Sequence, residues 1–263
     1  MNYLHTTTVH NTKAAGEVVP FIIQLLKPNS VIDVGCGIGT WLAVFEDFGV
    51  QDIVGVDGEY VHRDLLCINK NKFIPHDLTK SLKLNKKFDL VISLEVVEHI
   101  PETAADTFIE SLVSLGDFIL FSSAIPNQGG QNHLNEQWPS YWQAKFKQHK
   151  FDLYDCIRSS IWLNKNVEWW YKQNMFLAVK EEAEFSLPKT TDIPHIVHPD
   201  LYNWRVRQLE RFDPLLKDWD LEEISVQSAS KILSKSIKKE VVYLLKELKE
   251  AITKFFYKNN LHK

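Results

Sequence analysis

Cysteine and methionine are scarce in this chain of 263 residues, which has three cysteines and two methionines, and its 30 lysines and arginines are outnumbered by 34 acidic residues. Cys36, Cys67 and Cys156 lie far apart and form neither a paired framework nor a Cys-x-x-Cys metal spacing, so they read as reduced thiols. No apolar run approaches the roughly 20 residues needed to span a bilayer. Met1 to Lys13 is polar and lacks the apolar core of a signal peptide, and the expectation is a cytoplasmic protein. There is no internal repeat and no low-complexity segment. None of the ten histidines shows a recognisable ligand spacing with a third ligand, so no metal is expected. The net charge of −4 is unevenly spread: residues 225–263 carry nine lysines and three glutamates, leaving 21 basic and 31 acidic residues before them. An acidic body repels phosphates, and nucleic acid is not the expected partner.

What the chain does have is a pattern of short apolar runs alternating with helical periodicity. Residues Val31 to Val34 form one such run, followed by three alternating glycines, Gly35, Gly37 and Gly39, around Cys36. Further runs fall at 52–57, 72–75, 88–94 and 117–124. Helical faces fall at Ala14 to Leu26 and Trp41 to Phe48, and a helix is expected from about Glu102 to Leu115, begun by Pro101. This alternation predicts an α/β fold with a parallel sheet. Lys150 to Ile157 and Asn174 to Val179 supply two more strands, and the core domain is expected to end near Lys180.

Glycines at the carboxyl end of a buried strand let the chain turn sharply and let backbone amides approach a ligand. Asp57 closes the next strand about 20 residues on, the offset at which an acidic residue accepts hydrogen bonds from ribose hydroxyls. The glycines are evenly spaced, unlike the Gly-x-Gly-x-x-Gly of dinucleotide sites, and Asp33 stands before them. That carboxylate suits a cofactor carrying an ammonium and a sulfonium.

The segment Val-Ile-Asp33-Val-Gly35-Cys36-Gly37-Ile-Gly39 resembles motif I of the class I S-adenosylmethionine-dependent methyltransferases. The resemblance continues in order through Val-Gly-Val-Asp57-Gly58, His76-Asp77-Leu78 and Ser-Leu94-Glu95-Val-Val-Glu98-His99-Ile-Pro. It implies a Rossmann-like fold, a mostly parallel seven-stranded sheet with helices on both faces, closed by an antiparallel hairpin. It also implies S-adenosylmethionine as cofactor, held by Asp33, Gly35, Cys36, Gly37, Gly39, Asp57, Gly58, Asp77, Leu78, Leu94, Glu95 and His99.

Ligands of open α/β sheets sit outside the carboxyl ends of the strands, so the segments after strands four and five carry the remaining candidates. His99 either acts as base or shapes the adenosyl pocket. The loop after strand five is dense in hydrogen-bonding groups, with Asn132, His133, Asn135, Glu136, Trp138 and Tyr141, and His133 is the stronger candidate base. Asn135 alternatively caps a helix. Trp170 and Asn174 before the last strand, and His10 before the first helix, complete the expected substrate-binding set. His133-x-Asn135-Glu136-Gln-Trp138, Glu168-Trp-Trp-Tyr and the Glu-His string together look like bacterial and phage methyltransferases of surface, including capsular, polysaccharide synthesis.

That likeness covers residues 5 to 180 and implies an O-methyltransferase acting on a small polar or nucleotide-linked precursor. An N-methyltransferase on an amino sugar and a scaffold that holds cofactor without turnover are the alternatives. Residues 181–263 read as a linker with a short helix near Trp204 to Phe212, then an amphipathic helix from Ser230 to about Tyr257. That helix packs on its own domain or a second copy, giving a homodimer, or lies on an anionic membrane surface.

Overall fold

In the computed structural model, residues 11–210 are described. His10 and the expected helix from Ser230 to Tyr257 lie outside the described residues. Seven strands form one sheet in the order β3-β2-β1-β4-β5-β7-β6. The strands are β1 (Ser30–Val34), β2 (Asp52–Asp57), β3 (Phe73–Pro75), β4 (Leu90–Leu94), β5 (Phe118–Ser122), β6 (Phe151–Tyr154) and β7 (Phe176–Lys180). The first five pair in parallel, and β7 enters antiparallel between β5 and β6.

Strands β1 and β4 are buried at every position, which is why they read as unbroken apolar runs. Their side chains alternate between two cores. Val31, Leu90, Ile92, Leu120 and Leu177 face helices α1 (Lys13–Leu26) and α2 (Thr40–Asp47). Ile32, Val91, Ile119, Phe121 and Phe176 face α3 (Ala105–Leu115) and α4 (Pro139–Gln148). The period of two places Asp33 on the first face, among apolar neighbours.

The helix expected from Glu102 is divided in the structure. A turn of 3₁₀ helix, Glu102–Ala104, precedes α3. Short helices α5 (Arg158–Ile161) and α6 (Trp169–Asn174) fill the Trp-rich stretch. The later helix α7 spans Pro199–Glu210, earlier than its apolar pattern suggests, because Pro199 takes a first-turn position where no amide donor is needed.

Residues after β7 return to the domain. Ile193, His198 and Leu201 are buried, the Asp155 amide donates to Thr190 Oγ1, and the His198 amide donates to Gln173 Oε1. Arg158, 3% exposed, ties this strap down: its guanidinium grips Asp155 at 2.5 and 2.8 Å and donates to the carbonyls of Gln173 and Pro194. Among the described residues no helix is long and apolar enough to cross a membrane. Truncating Arg158 leaves the Asp155 carboxylate and two carbonyls without their donor, so Arg158→Ala is expected to lower unfolding stability by about 3–5 kcal/mol in urea titration. A loss below about 1 kcal/mol would show that the strap is held by its apolar contacts alone.

Candidate active site

The strand order reverses between β1 and β4, and the crevice outside their carboxyl ends is where an open α/β sheet takes a ligand. Gly35, Gly37 and Gly39 all lie at positive φ, 91°, 54° and 81°, a region that L side chains rarely enter. The amides of Gly35 and Cys36 donate to the Val56 carbonyl, fastening the turn to the end of β2. A Cβ on Gly35 would lie 2.3 Å from Val96, so the turn and the segment after β4 are in contact only because residue 35 has no side chain. Cys36 is buried, and burial raises its thiol pKa well above the usual range, which keeps it protonated.

Asp57 is the organiser of this end of the sheet. One carboxylate oxygen accepts from the Gly37 amide at 2.7 Å, and the other accepts from the Gly58 amide at 2.6 Å and the Tyr60 hydroxyl at 2.5 Å. The two amides belong to the turns themselves. The Tyr60 side chain is 39% exposed and is the donor that a ligand hydroxyl could replace. Sequence patterning gave no signal for Tyr60. Asp33 is buried beside this group, and desolvation, then the charge of Asp57, raises its pKa well above the ordinary carboxyl value. A cationic ligand would relieve both causes. Asp77 lies at the exposed end of β3, where its carboxylate is engaged by the Thr79 amide and hydroxyl; Leu78 beside it is half-buried.

Beyond β4, Leu94 is buried and Glu95 takes a left-handed conformation, φ 54°, unusual for a residue with a side chain. Its amide donates to the carbonyl and hydroxyl of Ser122 on β5. Its carboxylate accepts from Asn174 Nδ2 at 3.1 and 3.2 Å and from Gln128 Nε2 at 3.0 Å. Gln128 Oε1 in turn accepts from Asn174 and Gln173. Burial raises the Glu95 pKa, opposed by its hydrogen bonds to Asn174, Ser122 and Gln128. This amide network was only partly visible in sequence: Asn174 was expected at the substrate site, whereas Gln128 lies 46 residues away along the chain.

Glu98 and His99 occupy a 3₁₀ turn, Val97–His99. The Glu98 carbonyl accepts the amides of Leu134 and Asn135, which draws the loop after β5 onto this turn. His99 and His133 meet edge to face, with ring centroids 4.9 Å apart. His133 Nδ1 is 2.8 Å from Glu136 Oε1, which also accepts the Gly129 amide. Burial, and secondly His133, lower the His99 pKa to about 4, so His99 is a neutral imidazole at physiological pH.

The other expected substrate residues are spread more widely. Asn135 is buried with its Oδ1 accepting from Gln137, and the residue preceding α4 is Trp138, so Asn135 is not its cap. Trp138 stacks on His195 of the strap, Tyr141 donates to Glu102, and Trp170 meets Trp169 and Tyr171. Asn132 is exposed at φ 59°.

A doubly wound sheet with a glycine cradle and an acidic residue at each of β1 and β2 defines a nucleoside-cofactor-binding α/β protein. The family model described as "Methyltransferase domain" matches residues 9–158, and the chain belongs to that family. It is an enzyme, a methyltransferase, and its cofactor is S-adenosylmethionine. No curated protein sequence matches it. Among solved structures it is similar to magnesium protoporphyrin IX methyltransferase from Synechocystis PCC 6803 with bound S-adenosylmethionine, at 21% identity and TM-score 0.46, over 65% of this chain and 80% of that one. It is also similar to an O-methyltransferase so described from Nostoc punctiforme PCC 73102, at 11% identity and TM-score 0.47, over 64% and 57% of the two chains.

The cradle fits the cofactor: bare backbone at the three glycines, the Asp57 carboxylate for hydroxyls, and the buried Asp33 for positive charge. Asp57→Ala is expected to weaken S-adenosylmethionine binding by about 1.5–3 kcal/mol in calorimetry; unchanged affinity would remove Asp57 from the cofactor site. Asp33 supplies a pH test. Its pKa is raised in the free protein and a cation favours its ionised form, so binding releases a proton and affinity rises with pH, by at most tenfold per unit below the raised pKa. Asp33→Asn should flatten that profile, and an unchanged slope would assign the proton elsewhere.

Proposed function

We propose that the enzyme methylates a hydroxyl of a small polar acceptor, a nucleotide-linked precursor of a bacterial surface glycan, in the cytoplasm. The observation that carries this reading is the polar cluster beyond the carboxyl ends of β4 and β5. Glu95, Gln128 and Asn174 are joined by hydrogen bonds, and donor atoms of Glu98, His99 and His133 lie within 4.8 Å of one another. A polar cluster of this kind suits an acceptor rich in hydroxyls, since polar groups left unpaired in a closed site are costly.

The bound cofactor supplies a methyl group on a sulfonium sulfur. The chain's own residues orient the acceptor, exclude water and handle a proton. A hydroxyl must lose its proton as it attacks, and His133, its Nδ1 2.8 Å from the Glu136 carboxylate, is the residue we assign to that step. An amine acceptor is less well served. The carboxylates of Glu95, Glu98 and Glu136 would hold an ammonium in its charged form, which has no lone pair to attack. A scaffold without turnover has no use for the His133 and Glu136 pair.

Purified protein with S-adenosylmethionine and a panel of nucleotide-linked sugars should release S-adenosylhomocysteine and give a product heavier by one methylene, mapped to oxygen by mass spectrometry. Release only with amino-sugar acceptors, methylated on nitrogen, would overturn the assignment to oxygen. His133→Ala should lower turnover by about a hundredfold or more while cofactor affinity is kept. Wild-type turnover and Michaelis constant in that variant would remove the loop after β5 from the site.

A further inference from the structure

The Glu98 side chain is 0% exposed, and its carboxylate has only the backbone amides of Glu98 and Ala124 beside it, with no side-chain donor and no cation. Burying a carboxylate without a counter-charge costs several kcal/mol, and such groups are commonly held against a cation. Donor atoms from Glu98, His99 and His133, one from each, all lie within 4.8 Å of one another. Donors about 2.1 Å from one ion stand about 3.0–3.5 Å apart, so these three are within reach of a single ion once the cluster closes on it.

The surroundings are also those of a metal site. His133 Nδ1 is 2.8 Å from Glu136 Oε1, the kind of carboxylate contact that orients an imidazole for metal binding through its other nitrogen. The Glu98 carbonyl holds the amides of Leu134 and Asn135 at 2.7 and 3.0 Å, which fixes the His133 loop relative to Glu98. Gly130 lies against the imidazole, and a Cβ there would come within 2.1 Å of His133 Nε2.

We infer that Glu98, His99 and His133 form a binding site for a divalent cation of the first transition row, with open positions facing the acceptor. Two imidazoles and one carboxylate favour manganese, zinc or their neighbours over magnesium, which prefers oxygen ligands throughout. Spacing along the sequence did not reveal the set because His133 stands 34 residues beyond His99, brought back by β5 and its loop. The inference deepens the reading of this site as one that activates a hydroxyl. An acceptor oxygen bound to the cation gives its proton to solvent more readily. The O–CH₃ bond then forms as the CH₃–S bond breaks, and the sulfur leaves neutral. His133 is then a ligand, and loss of the metal accounts for the turnover lost in its variants.

The test is metal uptake by the full chain, stripped with chelator and then titrated with Mn²⁺ alone or Zn²⁺ alone. Uptake is followed by electron paramagnetic resonance for manganese and by equilibrium dialysis for zinc. One ion per chain is expected, with magnesium binding more weakly. Glu98→Gln and His133→Ala should each weaken uptake at least tenfold. Glu136→Gln, which leaves all three ligands in place, should weaken it about 10- to 100-fold through the orientation of His133. Retained binding of S-adenosylmethionine shows that each variant is folded. Failure of the stripped wild type to take up either ion at one per chain would overturn the inference and leave Glu98 a buried neutral acid; so would uptake unaltered in all three variants. Uptake without methylation of any nucleotide-linked sugar keeps the metal site and removes the acceptor class; methylation without uptake does the reverse.

Discussion

Four carboxylates gathered at the carboxyl edge of a parallel sheet set the terms for the rest of this structure. Asp33, Asp57 and Glu98 are buried, and Glu95 is half-buried at the end of β4. Asp57 is held by two backbone amides and a hydroxyl, and Glu95 by the side-chain amides of Asn174 and Gln128. Asp33 and Glu98 sit where burial and a neighbouring acid both oppose ionisation. An apolar sheet edge would be more stable, and carboxylates gathered there suit a ligand that brings cations and hydroxyls. In our proposal the cofactor's positive charge answers Asp33, its hydroxyls answer Asp57, and a divalent ion answers Glu98.

The remaining architecture keeps those groups in place. The glycine turn rests on β2 through the Val56 carbonyl and meets Val96 beyond β4, so the two halves of the crevice are set against each other by contact. The loop after β5 is secured at Glu98, and α6 reaches the same site through Asn174. Gln173, next in the chain, carries the connection outward to the His198 amide of the strap. Residues 181 to 201 thereby buttress the far side of the site although they lie beyond the last strand.

Much of this is legible in the amino-acid sequence. Short apolar runs separated by helical periodicity identify a parallel sheet because each strand is covered on both faces, and β1 and β2 fall where the runs do. The alternating glycines announce their own positive φ angles, since few other residues would be placed there. Helix starts were harder, as at Glu102 and Pro199, because local hydrogen bonding decides between a 3₁₀ turn and an α-helical one. Within the site, what was legible is what lies on one continuous motif. Partnerships across the chain were not: Glu98 with His133, and Glu95 with Gln128 and Asn174, depend on topology, and no local spacing encodes them.

The central claim is that one crevice, at the carboxyl ends of β1, β2 and β4, takes the methyl donor. Amide hydrogen exchange with and without saturating S-adenosylmethionine tests it across the whole chain at once. The account predicts slowed exchange concentrated in residues 35–39, 57–60 and 94–99, with β6 and the strap little changed. Protection confined to the strap or to β6 and β7, with the glycine turn exchanging as in the free protein, would contradict it.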